Sequence, residues 1–99
     1  MRRAARKDAN HKTVGDYLRS LGWSVLDLSH AGEGIPDYAV SKPNWAALVE
    51  VKDGAKVPSA RKLTPAQLDV KKNWQGPYVV ALDGPDAAAQ LLCLFNGWK

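Results

Sequence analysis

Asp37-Tyr38-Ala39-Val40-Ser41-Lys42-Pro43-Asn44-Trp45-Ala46-Ala47-Leu48-Val49-Glu50-Val51-Lys52 reads as a β-hairpin. Tyr38-Ala39-Val40 and Ala46 to Val51 are β-formers flanking the turn Lys42-Pro43-Asn44-Trp45, with proline at the second turn position. A turn centred between Pro43 and Asn44 sets Asp37 opposite Glu50. Two-residue hairpins favour primed turns, which Pro-Asn suits poorly, so a register shifted by one residue is the alternative. Opposed side chains on one sheet face lie about 5 Å apart at Cβ, and like charges there repel. A divalent cation reverses that sign, because hard carboxylate oxygens are what magnesium prefers. Strand alternation puts Glu50 and Lys52 on one face and sends Val49 and Val51 into the core. The main-chain carbonyl of Val51 lies between the two charged residues as a further metal ligand.

Outward from the hairpin the chain alternates helix and strand. Val14, Tyr17, Leu18 and Leu21 recur at helical spacing over Asn10 to Leu21, and Gly22 stops that helix. Trp23 to Leu28 reads as a strand with Trp23, Val25 and Asp27 on one side, and Ala31 to Pro36 as a glycine-rich turn. Asp53 to Leu63 reads as a flexible basic loop. Thr64-Pro65-Ala66-Gln67 is a helix start, with Thr64 as N-cap, proline first and Gln67 completing a capping box. That helix is expected to run to about Trp74, followed by a strand over Tyr78 to Leu82 and a helix through about Phe95. The order α-β-β-β-α-β-α predicts an α/β fold, a mixed sheet flanked by helices. One domain over residues 1–99 is expected, with a basic arm over about 1–9.

The chain has 99 residues, 45% of them hydrophobic, and a net charge of +4. A domain of this size buries only roughly 60–70% of its unfolded surface, so a homodimer would add stability. Basic residues cluster: Arg2, Arg3, Arg6, Lys7 and Lys12; then Lys52, Lys56, Arg61 and Lys62; then Lys71 and Lys72. Such clustering suits a polyanion such as DNA, whose neutralised phosphates release counterions. A single cysteine, Cys93, excludes an internal disulfide; in the run Leu91-Leu92-Cys93-Leu94-Phe95 it reads as a small core residue. His11 and His30 are isolated and read as surface residues. No apolar run approaches the roughly 20 residues of a membrane span, and the basic start has no apolar region behind it. A cytoplasmic setting is expected, with no membrane partner and no small-molecule cofactor.

Three strings, Gly32-Glu33-Gly34-Ile35-Pro36-Asp37-Tyr38, Leu48-Val49-Glu50-Val51-Lys52-Asp53-Gly54 and Pro58-Ser59-Ala60-Arg61-Lys62-Leu63-Thr64-Pro65-Ala66-Gln67, follow in this order. Together they resemble the PD-(D/E)xK nuclease superfamily and, more narrowly, the small phage-type virus-type replication-repair nucleases (VRR-NUC). The resemblance covers about Asp8 to Asp83. It implies a restriction-endonuclease-like core, magnesium or manganese dependence, and Asp37, Glu50 and Lys52 as the catalytic set, with Gln67 joining them. It further implies a homodimer that cuts branched DNA such as four-way junctions. The family's first-helix glutamate is replaced here by Thr13, with Asp8 and Asp16 as candidate substitutes.

The chemistry expected is hydrolysis of a DNA phosphodiester. Asp37, Glu50 and the Val51 carbonyl would hold the cation, Lys52 would hold a phosphate or position water, and Lys56, Arg61, Lys62 and Lys71 would grip the backbone. Gln67 has two readings, site residue and capping-box partner, and one side chain is not expected to serve both at once. The alternative to an endonuclease is a non-catalytic DNA-binding module of the same fold.

Overall fold

The computed structural model describes residues 9–98, so Asp8 and nearly all of the expected basic arm lie outside the described residues. Helix α1 (Ala9–Ser20) is followed by strands β1 (Ser24–Asp27), β2 (Tyr38–Lys42) and β3 (Trp45–Val51). Helix α2 (Pro65–Asn73), strand β4 (Tyr78–Ala81) and helix α3 (Gly84–Trp98) complete the expected order. The strands form one four-stranded sheet in the order β1-β2-β3-β4. Its first three strands are antiparallel neighbours, and β4 runs parallel to β3. The architecture is α/β, with a mixed sheet and three helices.

Local chemistry explains the boundaries. Gly22, at φ 92°, ends α1 in a Schellman arrangement: its N–H donates to the Arg19 carbonyl at 3.0 Å, and the Trp23 N–H donates to the Leu18 carbonyl at 3.1 Å. The hairpin turn places Asn44 at φ 64° after Pro43. Proline second and a positive φ third is the combination of a type II turn, which Asn tolerates, and no primed turn is needed. Tyr38 pairs with Val49 and Lys42 with Trp45, so the register is the expected one, without a shift. The segment expected to be a flexible basic loop contains a 3-10 turn over Pro58–Arg61, opened by Pro58 at its first position.

The core lies on one face of the sheet. Trp45, Ala47, Val49 and Val51 of β3 are all buried there, with Tyr38 and Val40 of β2 and Val79 and Ala81 of β4. Val14 and Leu18 of α1 and Ala87 and Leu91 of α3 close over them. Phe95 packs edge to face with Trp23 and Trp45 at one end, and the two tryptophans are tilted against each other, with ring centroids 5.4 to 6.1 Å apart. Trp23 is buried and Val25 packs against this core; Asp27 pairs with Tyr38 on that same side, as read, but is exposed and accepts from the Ser29 N–H.

Cys93 is exposed, contrary to the core reading of its run. The buried stripe of α3 is Ala87 and Leu91 at i, i+4, continued by the half-buried Phe95. Cys93 sits two residues beyond Leu91, about 200° around the helix, and so points away from the sheet. No helix among the described residues is long and apolar enough to cross a membrane.

Candidate active site

The other face of β3 carries Ala46, Leu48, Glu50 and then Lys52 just past the strand's end. Continuing the β2–β3 register by one step from Tyr38 and Val49 brings Asp37 opposite Glu50. Asp37 is held by the end of the hairpin: its main-chain carbonyl accepts from the Leu28 N–H at 2.8 Å, and its Oδ2 accepts from the Val51 N–H at 2.8 Å. The carboxylate therefore bridges to the strand that carries Glu50.

Glu50 is only 5% exposed and is the one buried charged residue among those described. Its pKa is pushed up to about 7, first by burial and then by the negative charge of Asp37. Lys52 and the hydrogen bond from Gln67 pull the other way without cancelling that rise. The sequence-derived repulsion between the two carboxylates is thus a feature of the folded site.

Gln67 ties α2 to this pair. Its Nε2 donates to Glu50 Oε2 at 3.0 Å, and its Oε1 accepts from Lys52 Nζ at 2.8 Å. The same Oε1 accepts from the Thr64 N–H at 2.9 Å, while Thr64 Oγ1 accepts from the Gln67 N–H at 3.2 Å. The capping box and the site contact therefore coexist in one side chain, contrary to expectation. An amide oxygen has two lone pairs and the amide nitrogen two protons, which is enough for all three partners. Lys52 Nζ also stands 3.6 Å from Glu50 Oε2, and its side chain is 14% exposed.

Helix α2 reaches this position because the glycine-rich turn lets it in. Gly34 has φ +81°, and a Cβ there would overlap the Ala66 carbonyl, so the turn's backbone packs directly on the first turn of α2. The string that leads into Asp37 thus seats the helix that carries Gln67.

The remaining expected residues divide. Arg61 is half-buried in its 3-10 turn, with its Nε shielded from solvent and without a hydrogen-bond partner among the described residues, whereas Lys56 and Lys62 are exposed. Lys71 lies one turn after Gln67 with its Nζ 5.9 Å from the ring centroid of Tyr78. Thr13 is exposed on α1. Asp16 is exposed and takes part in ion pairs with Lys12 at 2.8 Å and Arg19 at 3.3 Å, which hold its pKa below the usual value. It is not brought to Glu50.

Tyr78 was not among the expected site residues. It pairs with Leu48 and so shares the face of Glu50. Its phenol is pushed up to about 12, first by burial and then by the charges of Glu50 and Asp37. A four-residue strand shows its alternation in the sequence, but the parallel neighbour that sets its face is a non-local choice.

Among the described residues no group of three or more His, Cys, Asp or Glu side chains is arranged to hold a metal ion. Two opposed carboxylates and main-chain oxygen are what the site offers. That set suits magnesium or manganese, which are often held by one or two carboxylates and keep water or substrate phosphate as the other ligands. No family model, curated protein or solved structure matches this chain.

Proposed function

We propose that the protein is a metal-dependent DNA endonuclease, with Asp37, Glu50, Lys52 and Gln67 as its active site. The observation that carries this reading is Glu50, a buried carboxylate with its pKa raised to about 7 beside Asp37 and within 3.6 Å of Lys52. A sheet built only for stability gains nothing from that arrangement. A cation between the carboxylates turns the repulsion into attraction. When bound, it would supply Lewis-acid polarisation of the phosphoryl oxygens and a more acidic water.

This chain's own residues do the rest. Asp37 and Glu50 would hold the cation from opposed strands, with the Val51 carbonyl beside them. Gln67 fixes both Glu50 and Lys52, so neither side chain has to be ordered during the reaction. Lys52 places a positive charge where the phosphoryl oxygens gain negative charge, as water oxygen bonds to phosphorus and loses a proton while the phosphorus–oxygen bond to the leaving strand breaks and the departing oxygen gains one. Lys56, Arg61, Lys62 and Lys71 hold the DNA backbone. The resemblance to VRR-NUC proteins extends the proposal to branched DNA and to a homodimer. The exposed Leu92, Leu94 and Trp98 of α3 are apolar area that a second copy would cover.

The test is incubation of the purified protein with linear, flap and four-way-junction DNA in magnesium, manganese or EDTA. Cleavage in either metal and none in EDTA is the expected result, with the junction cut fastest. A second reading is supported by Thr13, which supplies no carboxylate from the first helix. On that reading the protein binds DNA without cutting it, and its affinity is the same in magnesium and in EDTA at equal ionic strength.

A further inference from the structure

Two tyrosines have phenols pushed up to about 12, and they stand on opposite faces of the sheet. Tyr38, paired with Val49, faces the core, and its hydroxyl meets the backbone of Gly15 in α1. Tyr78, paired with Leu48, faces the candidate site. Its hydroxyl is shielded from solvent and has no hydrogen-bond partner among the described residues. Nearly every buried polar group in a folded protein has a partner, so an orphaned phenol asks for a use.

Its surroundings point to one. Lys71, one helical turn after Gln67, covers the ring, so the phenol lies under the same face of α2 that holds Glu50. The charges of both Glu50 and Asp37 act on it. Both side-chain contacts to Glu50, from Gln67 and Lys52, fall on Oε2, which leaves its other oxygen without a protein donor among the described residues. A carboxylate oxygen left open on the same sheet face is an acceptor for the phenol O–H.

We propose that Tyr78 is a positioning residue of the cation site: its hydroxyl donates to the Glu50 carboxylate when a divalent cation is bound, and so fixes the orientation in which Glu50 ligates. The inference rests on the reading of Asp37 and Glu50 as a cation site, but not on DNA cleavage. Outer hydrogen-bond donors of this kind change metal affinity by about 10- to 100-fold when removed.

The experiment is calorimetric titration of the full-length protein with manganese, without DNA, at pH 8. Wild type is compared with Tyr78→Phe and Tyr38→Phe. Tyr78→Phe should weaken manganese binding by about 10-fold or more. Its melting temperature without metal should stay level or rise, because an orphaned hydroxyl is gone. Tyr38→Phe should leave manganese affinity unchanged, since its hydroxyl serves α1. Wild-type affinity in Tyr78→Phe, an equal loss in Tyr38→Phe, or no manganese binding by the wild type would each overturn the proposal. Should Tyr78→Phe fail to fold, NMR of the wild-type protein decides. Magnesium must then shift the Tyr78 ring signals, and unshifted signals refute the role. Manganese binding without cleavage of any DNA would sink the nuclease reading alone and leave Tyr78 to be judged on affinity.

Discussion

The two faces of β3 differ in everything but their backbone. On one, Trp45, Ala47, Val49 and Val51 are buried under α1 and α3 without a polar atom among their side chains except the Trp45 indole nitrogen. On the other, Ala46 is exposed, Leu48 is half-buried, and Glu50 is buried in the company of Asp37, Lys52, Gln67 and Tyr78. That second face also borders an open apolar groove of about 420 Å³ between α2 and the sheet, lined by Leu28, Ile35, Leu48, Val70 and Trp74. Period-two alternation lets one seven-residue strand supply both. The lesson is a division of labour: the packed face carries stability, and it allows the other face to hold a charge pair that opposes folding.

Breaking each face in turn gives the largest contrast. Asp37→Asn and Glu50→Gln should each abolish metal-dependent cleavage while the melting temperature without metal holds or rises, because repulsion is relieved and the Val51 N–H and the Gln67 amide keep an acceptor. Leu91→Ala, beneath α3 and 0% exposed, should cost roughly 2–5 kcal/mol of stability while the site keeps its chemistry in the molecules that remain folded. Unfolding curves measured beside cleavage rates separate the two. Full activity in both carboxylate variants would remove the metal assignment.

Within the polar face, Lys52 differs from the surface cations by being fixed. It donates to Gln67 at 2.8 Å, whereas Lys56 and Lys62 are exposed. Lys52→Ala should therefore slow single-turnover cleavage by about 10²-fold or more, the scale of one preorganised electrostatic group. DNA affinity, measured in calcium to block turnover, should fall far less. Lys52→Arg should not rescue fully, because a planar fork does not replace a compact ammonium between Glu50 and Gln67. Wild-type cleavage by bound Lys52→Ala would make this lysine an ordinary surface charge.

The hairpin was legible in the sequence because its determinants are local. Pro43 and Asn44 select the turn, the turn sets the register, and the register opposes Asp37 and Glu50. Cys93 differs from its sequence reading because its apolar neighbours Leu92 and Leu94 are themselves exposed, so the run carries no sign of which stripe faces the sheet. Gln67 was read as a choice between two roles because the pattern shows a capping box but not the distance from α2 to β3. Tyr78 is not legible as a site residue, since only the parallel pairing of β4 with β3 turns it toward the carboxylates.

A smaller effect is expected from the basic segment. Replacing Arg61 and Lys62 together with Ala should weaken DNA binding for all sequences alike and flatten its salt dependence. Arg61 should account for most of the loss, being half-buried in its 3-10 turn while Lys62 is exposed. Salt-titrated affinities of the single and double variants check this, and an unchanged slope with wild-type affinity would take the segment out of the interface.

The central claim, that Asp37 and Glu50 are opposed so as to hold a cation, is tested most directly by unfolding free energy against pH, with and without manganese. Glu50 has a folded pKa of about 7 against an ordinary value of 4.5, so the folded protein binds its proton more tightly than the unfolded chain does. Its contribution is fully present below pH 4.5 and is lost as pH rises through about 7. The loss is on the order of 3 kcal/mol at most. Without metal, wild-type stability should fall over that window, and Glu50→Gln should flatten the fall. Manganese should restore wild-type stability at pH 8 and leave Glu50→Gln much less changed. A wild-type profile that is flat across the window, together with no stabilisation by manganese, would contradict the account.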